Sequence, residues 1–157
     1  MKTATVHEIK QELLSVPEKQ LVELCLRLSK FKKENKELLT YLLFESHNEE
    51  NYIKEVQELI GAEFETIEVA TNLYFAKKTI RKILRIANKH IRYTGSKTAE
   101  VAILMHFCTV LKAHGLPFEK STALKNLYQQ QLKKIKLAMS SLHEDLQYDF
   151  QQMLNEL

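Results

Sequence analysis

Seven cations fall on one side of a single predicted helix. At about 100° of rotation per residue, Lys77, Lys78, Arg81, Lys82, Arg85, Lys89 and Arg92 occupy an arc of roughly 140°. Leu73, Ala76, Ile80, Ile83, Leu84, Ala87 and Ile91 gather on the other side. Cations at that density can neutralise phosphates and release their counterions, a mode of binding that salt weakens steeply. Tyr74 lies on the cationic side, where its ring can stack on a base. Just beyond, Thr94-Gly95-Ser96-Lys97-Thr98 sets a glycine turn and a helix start beside the end of the basic helix, where free amides and the helix dipole favour anions. Lys97 therefore joins the candidate anion-binding or nucleic-acid-binding set. Gly95-Ser96-Lys97-Thr98 has the residue types of a phosphate-binding loop without its spacing. That motif needs an upstream glycine, a lysine directly after the second glycine, and a preceding strand. An ordinary helix stop followed by a helix start is the expectation.

The competing reading of the cations lies directly upstream. Glu49, Glu50, Glu55, Glu58, Glu63, Glu65 and Glu68 crowd the preceding helix. Antiparallel docking of the two helices could set carboxylates beside Arg85 and Lys89 and use up the patch in exposed pairs, each worth little energy. The charge is segregated along the chain. Residues 1–70 hold 9 basic and 14 acidic side chains, net −5, whereas residues 71–97 hold 8 basic and no acidic ones, net +8. Residues 98–137 are net +4 and residues 138–157 net −4, so the formal total of +3 hides the pattern.

No other residues assemble into a catalytic or metal-binding pattern. His106 and Cys108 are two positions apart on a helix, on nearly opposite sides, and cannot share an ion or form a dyad. His143-Glu144-Asp145 fan around a helix without the spacing of a zinc motif. Cys25 in LVELCLRL and Cys108 in MHFCTVL are each surrounded by aliphatic residues. They read as reduced, packed thiols of a cytoplasmic protein. Neither a metal nor a cofactor is expected.

These residues must be carried by helices. Three glycines and two prolines in 157 residues cannot supply the turns of a sandwich or barrel, and the length favours one domain over residues 1–157. The N-terminal stretch MKTATVHEIKQELL has no apolar run or cleavage site, so no signal peptide is expected. The most apolar stretch, VAILMHFCTVLKA from Val101 to Ala113, is too short for a bilayer and reads as a buried core helix.

Punctuation divides the chain. Thr5 with Glu8 forms a capping box for a first helix to about Leu14, and Ser15 with Glu18 repeats the pattern around Pro17 for a second to about Phe31. A polar segment, KKENK, then separates a third helix through Leu38, Leu39, Leu42, Leu43 and Phe44. Ser46 and Glu49 open a fourth that ends near Glu68 to Ala70, and the basic helix runs from about Thr71 to Tyr93 with Gly95 at its end. Ser96 caps the sixth, which stops at Gly115, with Pro117 beyond. The last follows Ser121. Its apolar seam, through Leu124, Tyr128, Leu132, Ile135 and Met139 to Leu157, keeps the period of one long straight helix, with Ser140-Ser141 as a place where it can break.

With FKKENKELLTYLLFE at Phe31–Glu45 and LHEDLQYDF at Leu142–Phe150, the chain resembles a family of small bacterial all-helical proteins. The resemblance implies a bacterial, cytoplasmic setting and brings no activity, ligand or site. TVHEIKQEL is similar to the first helix of small helix–extension–helix DNA-binding modules, but the glycine-bearing linker and basic second helix of those modules are missing.

The sequence thus predicts an all-α protein of six to eight helices, an irregular superhelix or orthogonal bundle with a long C-terminal helix. The expected function is non-enzymatic: a helical interaction or scaffold module that binds another protein or associates with itself along the last helix. The alternative is binding of nucleic acid or another polyanion through the basic helix.

Overall fold

A computed structural model describes residues 1–68 and 72–157 of the chain. Among the described residues there are eight α-helices and no strand. They are α1 (Val6–Ser15), α2 (Glu18–Phe31), α3 (Lys33–Thr40), α4 (Glu49–Glu65), α5 (Leu73–Thr94), α6 (Lys97–Ala113), α7 (Thr122–Met139) and α8 (Glu144–Asn155). A π turn, Tyr41–Glu45, follows α3, and short 3-10 turns occupy Ser46–Asn48 and Phe118–Lys120. Residues Met1–Phe44 and Glu45–Leu157 form two compact units.

The N-terminal unit consists of α1 to α3. The capping box forms as expected: Thr5 Oγ1 accepts from the Glu8 amide at 3.3 Å while a Glu8 carboxylate oxygen accepts from the Thr5 amide at 2.7 Å. Ser15 does not cap α2. Its hydroxyl instead donates to the Glu12 carbonyl in the last turn of α1, and Pro17 opens α2 without a side-chain cap. KKENK is not a linker either, because Lys33–Lys36 form the first turn of α3 and only Lys32 is extended. Lys and Glu are strong helix formers, so one extended residue suffices to fold α3 back on α2. The Asn35 amide donates to the Leu28 carbonyl at 2.9 Å and fastens that turn. None of residues 1–40 is buried.

The second unit is organised around α6. Ala99, Val101, Ile103, Leu104, Met105, Phe107, Cys108 and Leu111 are all buried, so this helix is enclosed on several sides, as its continuous apolar run predicts. Helices α4, α5 and α7 pack on it. From α4, Tyr52, Val56, Ile60 and Phe64 recur every four residues on the buried side, and the Phe64 and Phe107 rings meet at 5.5 Å between centroids. Ser96 joins two helix starts: its hydroxyl accepts from the Ala99 amide at the head of α6 and donates to Glu49 of α4 at 2.8 Å.

The C-terminal rod expected from the seam is two helices. The Ser140 and Ser141 hydroxyls turn back to the carbonyls of Leu137 and Ala138, and His143 is extended and caps α8. The α7 part of the seam is buried in the unit through Leu124, Tyr128, Ile135 and Met139, whereas Leu146 and Met153 of α8 are exposed. Lys112 of α6 donates to the Leu157 carbonyl at 2.6 Å, and Tyr128 donates to the same carbonyl at 3.3 Å.

Gly61 sits within α4, and a Cβ placed there meets nothing within 4 Å. Glycine in a helix interior costs about 1 kcal/mol relative to alanine. Gly61→Ala is expected to raise Tm by about 2–4 °C in a thermal melt, and an unchanged or lowered Tm contradicts this account of the position.

Candidate polyanion-binding face

Helix α5 carries the cations, and local chemistry fixes both of its ends. The Asn72 side chain accepts from the Tyr74 amide at 2.9 Å, and Gly95 adopts the left-handed φ of 61° just past the last turn. The expected start at Thr71 lies outside the described residues, as does the Ala70 limit of the preceding helix. Ala76, Ile80, Ile83, Ala87 and Tyr93 are buried, and this anchored side fixes which residues face water. On the solvent side an open groove of about 590 Å³ is lined by Tyr74, Lys77, Lys78, Arg81, Leu84, Arg85 and Asn88.

The predicted cations separate into four groups. Lys77, Lys78, Arg81 and Arg85 line the groove, and among the described residues no carboxylate lies within 4.0 Å of them. Lys77 instead places its ammonium 5.6 Å from the centre of the Tyr74 ring. Lys82 and Lys89 are on the same helix but engaged: Lys82 pairs with Glu63 at 2.9 Å, and Lys89 sits 6.0 Å from the centre of the Tyr93 ring. Arg92 is exposed beyond the groove. Lys97 does not join them, because it opens the next helix and pairs with Glu100 at 2.7 Å one turn along. Leu84 and Asn88 also line the groove. Their signal was their wheel position at the margin of the cationic arc, which a search for charge alone passes over.

The acidic helix does not cover this face. Glu49 accepts from Ser96, Glu50 pairs with Lys54 at 3.0 Å, and Glu55 accepts from the Asn51 amide at 2.8 Å. Glu63 does reach a cation of α5, and that cation is Lys82, outside the groove lining.

The remaining chemistry-bearing side chains stand apart. No group of three or more His, Cys, Asp or Glu side chains that could hold a metal occurs among the described residues. His106 is partly buried, its Nε2 has no partner, and desolvation holds its pKa below the ordinary value despite a bond to the Gln57 backbone. His114 contacts the Phe64 carbonyl through Nε2 at 3.0 Å. Cys108 is buried, and burial pushes its thiol up to about 12, which makes it a packing residue. Cys25 departs from the packed cysteine expected: it is exposed, beside a small apolar groove between α2 and α3. No helix among the described residues is long and apolar enough to cross a membrane. Comparison with protein-family models, with curated proteins and with solved structures gives no match.

Two measurements check these environments. His106 binds its proton less readily in the fold than in the unfolded chain, so stability is full above the unfolded value of 6.5 and falls as pH drops below it. Thermal melts at neutral and mildly acidic pH should show a smaller acid-induced drop in His106→Asn than in wild type, and equal drops contradict the assignment. A thiol-alkylating reagent should modify Cys25 in the folded protein and reach Cys108 only on denaturation. Native modification of both is the opposing result.

Proposed function

We propose that the protein is a non-enzymatic helical binding module that holds a polyanion, foremost a nucleic acid, on the solvent side of α5. One observation carries the reading: Lys77, Lys78, Arg81 and Arg85 surround a groove and have no carboxylate partner among the described residues, on a helix whose other side is fixed in the core. Cations already desolvated by internal pairs would have little to offer a ligand, whereas these keep their full charge for phosphates. A rigid helix also presents them without an ordering cost on binding. Insertion of α5 into a membrane surface is disfavoured by the same geometry, since its apolar side is already buried.

A second surface supports protein docking. The helices of the N-terminal unit are amphipathic, yet none of residues 1–40 is buried, and Val6, Leu14, Leu28 and Phe31 are each at least 60% exposed. Exposed apolar side chains on amphipathic helices support a reading of this unit as an interaction surface. Its occupant is a partner protein in this reading, and the surface is separate in sequence from the basic groove.

Fluorescence anisotropy of a labelled oligonucleotide tests the principal reading. Four phosphate contacts predict that affinity falls roughly 50- to 150-fold between 50 and 200 mM salt. Arg81→Gln with Arg85→Gln should weaken binding and flatten the salt dependence by about two contacts. Leu28→Glu, on the other surface, should leave affinity unchanged. Absence of binding at low salt, or a salt slope indifferent to the double substitution, refutes the proposal.

A further inference from the structure

We infer that the occupant of the α5 groove is a single strand of nucleic acid, with Tyr74 as the platform on which a base stacks. The inference rests on the reading of α5 as a polyanion face and narrows its ligand. Tyr74 lines the groove and is 66% exposed, and Phe75 beside it is 61% exposed. The two rings meet edge to face, 5.5 Å between centroids at 83°. Packing does not account for rings left this open. With Lys77 near the Tyr74 ring at 5.6 Å, most of the phenol surface remains available to a partner, next to a cation able to take the adjoining phosphate. Aromatic rings beside a basic track are the arrangement by which proteins hold single strands, because every base has a face to stack whatever its identity.

The cations support one strand better than two. Lys82 is held by Glu63, and that carboxylate brings negative charge to one flank of the basic face. Lys89 is turned to Tyr93. What remains around the groove is a narrow strip from Tyr74 through Lys78 and Arg81 to Arg85, about 16 Å along the helix axis. A duplex presents two phosphate rows and keeps its base faces inside its stack, so Tyr74 has nothing to bind there. Reading a duplex would require α5 to enter the major groove and address base edges, a role that makes no use of an exposed ring at the head of the helix.

The test compares three probes under one salt condition: a labelled oligothymidylate, its duplex with oligoadenylate, and inorganic polyphosphate, which has charge but no bases. Wild type should prefer the single strand to the duplex. Tyr74→Ala should weaken the single strand by about 5- to 150-fold and leave the other two probes unchanged, and Tyr74→Phe should restore binding. Because Tyr74 is exposed, circular dichroism melts of both variants should match wild type. Equal affinity for single strand and duplex overturns the inference. So does a Tyr74→Ala variant that binds the single strand as wild type does, or one that weakens all three probes alike. Failure of the polyanion reading looks different: no probe then responds to Arg81→Gln with Arg85→Gln.

Discussion

Enclosure of α6 is the constraint from which the second unit follows. Eight of its side chains are buried, and a helix so apolar is stable only if neighbours remove it from water on more than one side. Helices α4, α5 and α7 each contribute an apolar stripe to that end. The consequence for α5 is geometric. Once Ala76, Ile80, Ile83 and Ala87 face inward, the 3.6-residue period leaves Lys77, Lys78, Arg81 and Arg85 no orientation except outward. The core therefore determines the direction in which charge is displayed, although no core residue carries any.

Short-range hydrogen bonding then decides which charges stay available. Glutamates on α4 find partners among Asn51, Lys54 and Ser96, and Lys97 finds Glu100 on its own helix. Asn51 and Lys54 lie one turn from Glu55 and Glu50 on α4 itself and need no tertiary register, whereas the Ser96–Glu49 bond ties α6 to α4. Glu63 also reaches beyond its own helix, and its choice of Lys82 is a matter of how α4 and α5 dock. Segregation of charge by helix thus survives folding largely intact, which is why a feature of the linear sequence reappears as a feature of the surface.

That distinction also marks what was legible beforehand. Chemistry contained within one turn could be read directly: the Thr5–Glu8 box, the glycine stop at Gly95, the cap at Ser96, and the two-sided character of α5. Where one residue could serve two neighbours, sequence was ambiguous. Ser15 turned to the helix before it, KKENK was polar enough for a linker but better suited to a helix, and Ser140-Ser141 interrupted a seam whose period never faltered. Exposure of Cys25 was illegible for a different reason, since its aliphatic surroundings along α2 are themselves unburied. Of the candidate site, the cations were visible and the groove was not, because a cavity depends on the reach of Leu84 and Asn88 between them.

No residue before Tyr41 contributes to the buried core, and this has a dynamic corollary. Amides of α1 and α2 are protected by little beyond their own helical bonds, so they exchange with solvent through openings of low free energy, whereas those of α6 await disruption of the core. A protease would meet the same gradient, cutting early in the first forty residues and late around α6. The molecule is in this sense two materials joined in one chain, a pliant leader and a resistant body, and the body holds every cation of the groove.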